Sequence, residues 1–394
     1  MEERNLDFDT VVDRRNTYSL KYDFAEERNK PKDVLPLWVA DMDFLISSYI
    51  QDAIQKQTEH GIFGYSDVKE EYFEALKRWM KTHHNWDIEE EWLVKTPGVV
   101  YALAMAVKAF TKENESVLIQ QPVYYPFGSA ITDNHRKLVV SDLILDEDGR
   151  YQIDFEDFEE KIVKEDVKLF FLCNPHNPVG RVWTKEELIR LGDICLKHNV
   201  LVVSDEIHAD FAFKREHQVF VNLKEEYKDI SIVATAPSKT FNIAGLQVSN
   251  ILIPNPLLRK EIEKQISASG YSQLNVLGLV ATLAAYQHGQ EWYDAMYRYV
   301  KDNIAFTKQF VEERLSGVKV VETEGSYLVW LNFRGLHLSE KELEDLIVNK
   351  AKLWLDRGSM FGKSGEGFER INVACPRKTL VEALNRIENA VNTL

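Results

Sequence analysis

The 394-residue sequence contains only three cysteines, Cys173, Cys195 and Cys375, and they are odd in number and widely spaced. This spacing excludes a disulfide framework and does not match a zinc-binding motif, so we expect no metal site. A cysteine outside such patterns is usually a small hydrophobic core residue. We therefore expect all three to be buried, in a protein of a reducing compartment.

The sequence also lacks the features of a secreted, membrane or nucleic-acid-binding protein. Its N-terminal stretch is charged from the start, unlike a signal peptide, and its apolar runs are much shorter than a membrane span. The 63 acidic residues outnumber the 48 basic ones, for a formal charge of −15. Such a charge disfavours nucleic acid and anionic membranes. We expect a cytoplasmic protein with a small-molecule ligand.

Short apolar segments alternate with helical segments in the middle of the chain. The apolar ones are typical of buried strands: SVLIQ from 116, KLVVSDL from 137, VKLFFLCNP from 167, VLVVSDE from 200, SIVATA from 231 and SNILIP from 249. Helical spacing covers residues 99–112, 185–198, 257–268 and 274–287. Thr184 and Glu187 form a capping-box pattern before the second of these helices. The alternation predicts an α/β protein, a three-layer α/β/α fold with a mainly parallel sheet.

The pattern changes after residue 287, where one long helix is followed by strand and helix candidates in an α+β order. We predict a large α/β domain at residues 46–287 and a smaller α+β domain at 288–394. Residues 1–45 contain little that forms a core of its own. We expect this N-terminal segment to pack on the small domain.

Ligands of open α/β sheets bind at the carboxyl ends of the strands, so the residues after each apolar run are candidates. Asp205 follows one run, where it is either a turn cap or the partner of a buried cation. The loop NPHNPVG follows another, and Asn174 or Asn177 offers an amide to a ligand unless the loop is only a turn. Tyr124 and Tyr125 follow a third, as wedged core aromatics or as a stacking surface for a flat ring.

Two further features complete this set. Thr96, Pro97 and Gly98 precede a helix whose free N–H groups favour an anion, although many helices begin this way. Lys239 follows the last apolar run and, taken alone, resembles an ordinary surface lysine. Together, a helix N-terminus for a phosphate, a stacking tyrosine, an amide, an aspartate and an imine-forming lysine meet the requirements of pyridoxal 5′-phosphate (PLP).

The sequence resembles the aminotransferase superfamily of PLP enzymes (fold type I), in which an Asn, an Asp and a Lys follow in this order and spacing. More narrowly, it resembles the MalY/PatB group of cystathionine β-lyases, or C–S lyases. The matching segments span nearly the whole chain: FDTVVDRRNTYSLKYD, LPLWVADMDF, GYSD, TPGVV, NPHNPVGRVW, SDEIHADF, APSKTFNIAGLQ and GFERINVACPR. WVADMDF and the last two segments are the most specific to the lyases.

The resemblance implies a role for each matching position. Lys239 anchors the cofactor and is the catalytic base. The other cofactor-binding positions are Asp205 at the ring nitrogen, Asn177 at the ring 3-oxygen, Tyr124 on the ring face, and Gly98, Val99, Val100 and Ser238 at the phosphate. Arg370 binds the substrate α-carboxylate, with Tyr124 also on the substrate side. Tyr65 reaches the cofactor phosphate or the substrate of the neighbouring subunit, which implies a homodimer with active sites at the subunit interface.

Three positions depart from the wider aminotransferase pattern. Gln247 stands where an arginine usually binds the phosphate, and Ala236 stands where a serine is common. These changes remove a charge and a hydroxyl from the phosphate site and are typical of the lyase group. His208 replaces a common tyrosine. It either contacts the cofactor or lies behind a residue that does.

The resemblance implies β-elimination from cystathionine or another cysteine S-conjugate, which yields a thiol, pyruvate and ammonia. An aminotransferase uses the same lysine, aspartate and arginine, so it stays an alternative. A regulatory binding partner with the same fold is a third, which an intact Lys239, Asp205 and Arg370 set disfavours. The preferred sulfur substrate is left open.

Overall fold

The computed structural model describes residues 2–394 and contains twelve α-helices in this part of the chain. They are α1 (Ser48–His60), α2 (Glu70–His84), α3 (Val99–Phe110), α4 (Pro126–Thr132), α5 (Phe155–Lys164), α6 (Lys185–Lys197), α7 (Pro237–Thr240), α8 (Pro256–Ala268), α9 (Val276–His288), α10 (Gln290–Arg314), α11 (Glu340–Glu344) and α12 (Arg377–Val391). Helix α11 is followed directly by a π-helical segment, Asp345–Lys350.

Fifteen strands lie within the same residues. They are β1 (Leu35–Pro36), β2 (Leu93–Thr96), β3 (Ser116–Gln121), β4 (Lys137–Asp142), β5 (Ile144–Leu145), β6 (Tyr151–Gln152), β7 (Val167–Cys173), β8 (Leu201–Asp205), β9 (Ser231–Thr235), β10 (Ser249–Leu252), β11 (Lys319–Val320), β12 (Leu328–Asn332), β13 (Leu353–Trp354), β14 (Asp356–Arg357) and β15 (Phe368–Asn372). Each of the six apolar segments predicted as strands overlaps one of these strands.

The central sheet has seven strands in the order β2-β10-β9-β8-β7-β3-β4. Strands β9, β8, β7, β3 and β4 run parallel to one another, and β10 is antiparallel to both of its neighbours. Parallel strands need crossover connections, and the helices that make them cover both faces of the sheet. The predicted three-layer, mainly parallel α/β/α fold is confirmed.

The residues of β7 show how the two faces are covered. Phe170 and Leu172 lie in an apolar cluster with Leu188 of α6, whereas Phe171 lies in a separate cluster with Leu103 of α3. Successive side chains of a strand point to opposite faces, so a continuous apolar run fits a strand between two helical layers. Each such buried side chain contributes roughly 1.5–3 kcal/mol to folding.

Helix α6 begins at the predicted capping box. The Thr184 side chain accepts a hydrogen bond from the Glu187 N–H at 3.2 Å, and the Glu187 carboxylate accepts one from the Thr184 N–H at 2.8 Å. Two N–H groups at the helix start are thereby satisfied. This local prediction is confirmed.

A second, antiparallel sheet has the order β11-β12-β15-β14 and lies in the C-terminal part of the chain. The short strand β1 pairs in parallel with β13, and the Trp38 and Trp354 rings stack with centroids 4.4 Å apart. The N-terminal segment also contacts the large-domain side, where the Met42 N–H donates to Asn242 Oδ1 at 2.9 Å, just beyond the end of β9. It therefore lies between the two sheets, beside the carboxyl edge of the larger one.

All three cysteines are buried and free. Within residues 2–394, no helix combines the length and apolar character that crossing a membrane requires.

Candidate active site

A pocket of about 170 Å³ opens at the carboxyl edge of the central sheet, where β7, β8 and β9 end. Residues from these strand ends, from the start of α3 and from the N-terminal segment line it: Ala40, Gly98, Val99, Val100, Tyr124, Asn177, Asp205, His208, Ser238, Lys239 and Gln247, among others. Every predicted site residue lines this pocket except Tyr65 and Arg370. The topology brings these residues together because parallel strands end at one edge.

Lys239 lies in α7, directly after β9, and its side chain reaches across the pocket. Its Nζ donates a hydrogen bond to the Ala40 carbonyl oxygen at 2.8 Å. Desolvation lowers the pKa of the Lys239 amine to about 8; Arg370 acts in the same direction, while Asp41 and Asp205 oppose it. An appreciable fraction of this amine is therefore neutral near physiological pH, as a nucleophile or base requires.

Asp205 ends β8 and is 5% exposed. Its Oδ1 accepts the Ile207 N–H at 3.1 Å, so it also has the turn-capping role that the sequence left open. Burial raises the pKa of Asp205 to about 7, although Lys239 acts against the rise. A buried carboxylate facing a pocket favours a cation there, because a partner charge offsets the desolvation of the ionised form.

Arg370 lies on β15 of the second sheet and reaches the pocket through Asn177. Its Nη1 donates to Asn177 Oδ1 at 3.0 Å, and its Nη2 donates to the Trp38 carbonyl oxygen at 2.9 Å and to the Asp356 carboxylate. Within the described chain its buried Nε has no hydrogen-bond partner. Arg370 is 2% exposed, so its ion pair with Asp356 is buried and not a surface pair.

Of the two adjacent tyrosines, Tyr124 lines the pocket and Tyr125 stands outside it. The Tyr124 N–H donates to the Asn177 carbonyl oxygen at 3.0 Å, which ties the β3–α4 connection to the Asn-Pro loop. Burial raises the pKa of the Tyr124 phenol, which stays neutral. Its ring lies 5.4 Å from that of Tyr125, which is 37% exposed.

The opposite end of the pocket is formed by the start of α3. Gly98 precedes the helix and makes no side-chain cap, and a Cβ at Gly98 would meet no atom within 4 Å among the described residues. Val99, Val100 and Ser238 also line this end, together with Gln247 in a left-handed conformation. Uncapped N–H groups at a helix start bind anions, so this end suits a phosphate.

These residues fit PLP. An anion-binding helix start and the Asp205 carboxylate line the same pocket, with the Lys239 amine and the Tyr124 ring among them. Two further features leave room for a ligand: a Cβ at Gly98 would meet no described atom within 4 Å, and Arg370 Nε has no hydrogen-bond partner among the described residues.

His208 is 3% exposed and also lines the pocket. Its Nδ1 lies 3.3 Å from Ser326 Oγ. Burial lowers the pKa of His208 well below its ordinary value, and the cations Lys239 and Arg370 lower it further. The imidazole is therefore neutral.

Tyr65 lies away from this pocket in its own chain. It is 99% exposed and lines a separate, shallow cavity of about 360 Å³ with Phe63, Ser66 and residues before α9. Its predicted role depends on a second subunit.

The chain matches the family model for aminotransferase class I and II over residues 32–387. The chain belongs to this family. It is also 42% identical over 388 residues to cystathionine β-lyase PatB of Bacillus subtilis, covering 98% of this chain and 100% of that protein. This likeness places the chain in the predicted lyase group.

Two solved structures match this aminotransferase-family chain over 98% of its length and 99% of theirs. One is a PLP-bound protein from Clostridium difficile 630, provisionally described as an aminotransferase, with 44% identity and a TM-score of 0.95. The other is cystalysin from Treponema denticola, which contains a PLP cofactor, with 39% identity and a TM-score of 0.94. Both support the fold at high identity.

Sequence reasoning missed two parts of this family member's site. Ala40 accepts the Lys239 hydrogen bond, and although its motif WVADMDF was conspicuous, nothing in the motif indicates which residue it contacts. Asp356 pairs with Arg370 but lies outside the motifs. The register of β14 and β15 brings the two together, since Asp356 lies directly opposite Arg370.

A larger cavity of about 500 Å³ contains none of the predicted site residues. Its buried histidines are paired with carboxylates: His84 Nε2 lies 2.9 Å from Asp210, and His217 Nε2 lies 2.7 Å from Glu206. Asp210 and Glu206 belong to the SDEIHADF motif, so part of that motif serves this second cluster.

Proposed function

We propose that this chain is a PLP-dependent C–S lyase that cleaves the Cβ–S bond of cystathionine and other cysteine S-conjugates. One substrate and one water give a thiol, pyruvate and ammonia. The full-length likeness to a cystathionine β-lyase carries the proposal, because the pocket chemistry alone also suits an aminotransferase. Lys239, Asp205 and Arg370 supply the groups that both reactions need.

The cofactor is held by residues at both ends of the pocket. The α3 start at Gly98, Val99 and Val100, with Ser238, would bind the phosphate. Asp205 would pair with the protonated ring nitrogen, and its own pKa would fall once that cation is present. Asn177 would donate to the ring oxygen, Tyr124 would pack on the ring, and Lys239 would anchor the cofactor. When bound, PLP withdraws negative charge from the substrate Cα.

The substrate is oriented by Arg370, which binds the α-carboxylate through N–H groups not used by Asn177, Trp38 and Asp356. A fixed carboxylate aligns the Cα–H and Cβ–S bonds for elimination. Lys239 Nζ takes the Cα proton, for which its lowered pKa of about 8 suits it. The sulfur then leaves as a thiolate.

The deciding experiment supplies cystathionine to the PLP-loaded enzyme without any keto acid. Pyruvate and thiol in equal amounts support the lyase. Turnover that requires 2-oxoglutarate contradicts it and establishes the aminotransferase. The Lys239→Ala variant shows how much reaction comes from free PLP, and it should lose both the activity and the imine absorbance. Lys185→Ala, at an exposed lysine, is the matched control and should keep both.

We also propose a cytoplasmic homodimer in which Tyr65 completes the partner's site at the cofactor phosphate or the substrate. The supporting observation is the segment around Tyr65, where Ile62 and Phe63 are 67% and 58% exposed. Adjacent exposed apolar side chains of this size are typical of an interface. The Ser66 hydroxyl donates to the Leu274 carbonyl oxygen at 2.9 Å, so the segment is anchored beside α9.

The division into residues 1–45, 46–287 and 288–394 stays a proposal. It is supported by the pairing of β1 with β13 and by the separate antiparallel sheet of the C-terminal part. Expression of residues 46–287 alone, followed by a test for cooperative unfolding, would measure its independence.

A further inference from the structure

Two N-terminal motifs with no assigned role meet in one charged network. Arg14 and Lys21 come from FDTVVDRRNTYSLKYD, and Asp41 and Asp43 come from LPLWVADMDF. Arg14 donates to both oxygens of Asp41 at 2.9 and 2.6 Å, and to Asp43 at 2.7 Å. Lys21 Nζ donates to Asp43 at 2.8 Å and lies 3.6 Å from Asp41.

This network is too buried to be an ordinary surface ion pair. The Lys21 side chain is 0% exposed and that of Asp43 is 4% exposed. Burying charges costs much of what their attraction returns, so such a network contributes little net stability. Its bidentate geometry instead fixes the conformation of the backbone that carries it.

The backbone fixed in this way forms one wall of the active site. The Ala40 carbonyl oxygen accepts hydrogen bonds from Lys239 Nζ at 2.8 Å and from Tyr327 Oη at 3.0 Å. The Asn372 side chain donates to the carbonyl oxygens of Val39, at 2.7 Å, and Asp41, at 2.5 Å. Asp41, the residue after Ala40, is therefore held at its carbonyl oxygen by Asn372 and at its carboxylate by Arg14.

Four groups of different charge surround the Lys239 amine. Asp41 and Asp205 raise its pKa, Arg370 lowers it, and the buried His208 is neutral. Asp41 is the member of the network that acts on Lys239. Although burial opposes it, Arg14 and Lys21 hold the pKa of Asp41 below its ordinary value, so Asp41 is an anion.

We propose that Asp41, held by Arg14 and Lys21, is a positioning residue for Lys239. It holds the Ala40 carbonyl against Nζ and stabilises the ammonium that forms when the proton moves from the substrate Cα to Nζ. The inference rests on the proposed function, in which Lys239 is the base. It gives the two N-terminal motifs a role in catalysis.

The test measures how fast the apoenzyme reacts with PLP as a function of pH, since only the neutral Lys239 amine attacks the aldehyde. Asp41→Asn removes an anion that favours the ammonium, so the midpoint should move to lower pH by about half a unit to one unit. Asp41→Glu keeps the charge and should restore the midpoint. The pH profile of kcat should shift in the same direction.

Asp43→Asn is the matched control, because it breaks the same network but leaves the carboxylate that acts on Lys239. It should lower the thermal midpoint about as much as Asp41→Asn and move the pH midpoint clearly less than Asp41→Asn does. Arg14→Met provides a second variant in case Asp41→Asn does not fold. It removes a cation that neutralises Asp41, so the midpoint should rise.

An unmoved midpoint in Asp41→Asn, or equal movement in Asp43→Asn, overturns the inference. The cofactor reaction needs no substrate, so its outcome does not depend on which reaction the enzyme catalyses. A failed lyase assay overturns the proposed function alone.

Discussion

Arg370 illustrates how a single residue joins the two sheets to the proposed chemistry. Its planar group uses one Nη1–H for Asn177 and both Nη2–H groups for Trp38 and Asp356, which leaves Nε–H and one Nη1–H for a ligand. Five donors in a fixed fork allow this division, whereas a lysine has only a point charge. The residue type therefore suits Arg370 both to support the site and to bind a carboxylate in the proposed reaction.

We predict that Arg370→Lys lowers kcat/KM for cystathionine about 30-fold to 1000-fold, equivalent to about 2–4 kcal/mol. Most of the loss should appear as a higher KM, since carboxylate binding precedes the chemistry. Steady-state pyruvate release measures it. The control is Arg357→Lys on the neighbouring strand. The Arg357 side chain is 43% exposed and forms an ion pair with Glu344 at 3.0 Å. An unchanged KM in Arg370→Lys would remove Arg370 from substrate binding.

Asp210 is a single buried carboxylate that makes the stability of the fold depend on pH. It accepts hydrogen bonds from His84 at 2.9 Å and from Trp79 at 3.2 Å. Burial opposes ionisation, but His84 and Thr240 lower the pKa of Asp210 from 3.8 to about 2. Because this folded-state pKa lies below the unfolded one, ionised Asp210 stabilises the fold above about pH 4, and the contribution disappears as the pH falls toward 2.

Asp210→Asn should therefore lower the free energy of unfolding at pH 7 by about 2 kcal/mol, and the difference should narrow between pH 4 and 2. Urea denaturation at a series of pH values measures both. Asp87→Asn removes an exposed ion pair with Lys81 and should change stability little at any pH. A difference for Asp210→Asn that is constant down to pH 2 contradicts the assignment.

At the scale of elements, the start of α3 combines a helix end with a glycine. The helix is twelve residues long, so its N-terminal N–H groups and dipole favour an anion. The backbone of Gly98 is extended, a conformation that any residue can adopt. A glycine matters here only because it has no side chain to fill the space beside the helix start. That space is where a phosphate oxygen would approach the helix.

Gly98→Ala should leave the thermal midpoint of the apoenzyme unchanged, because the new Cβ meets no described atom within 4 Å. It should weaken PLP binding about tenfold or more, since the methyl group takes up space at the anion site. Fluorescence titration of the apoenzyme with PLP measures the affinity. Gly128→Ala in α4 is the control: it should leave the PLP affinity unchanged and raise the thermal midpoint slightly, since alanine favours the helix. Unchanged PLP affinity in Gly98→Ala would place the phosphate elsewhere.

At the scale of the whole molecule, the exposed position of Tyr65 makes the assembly testable. We predict that Tyr65→Ala and Lys239→Ala are each inactive alone and regain activity when mixed. A hybrid dimer has one intact site, built from Tyr65 of one subunit and Lys239 of the other. A random equal mixture should recover about a quarter of the wild-type activity, since half of the dimers are hybrids.

The mixture must be unfolded and refolded together, or co-expressed, to allow subunit exchange. Tyr18→Ala, another highly exposed tyrosine, mixed with Lys239→Ala is the control and should give only the activity of the Tyr18→Ala subunits. If the Tyr65→Ala mixture stays inactive while a dimer forms, Tyr65 does not act across the interface.

The sequence by itself determined the layered fold, the lyase group and most pocket residues. An apolar run that ends in Asp205 and another that leads into the loop with Asn177 predict both burial and a shared edge, because strand periodicity and parallel topology leave few arrangements. The capping box of α6 was predictable because both partners lie within one helical turn.

The tertiary structure decided the contacts between segments far apart in the chain. Ala40 meets Lys239 and Asp356 meets Arg370 only through packing of the N-terminal segment and the register of two antiparallel strands. The residues alone did not distinguish Tyr124 from Tyr125. The turn after β3 places Tyr124, and not Tyr125, at the pocket. Local sequence patterns specify elements, but a contact between elements depends on the shape and charge of both, and one of them is always distant in sequence.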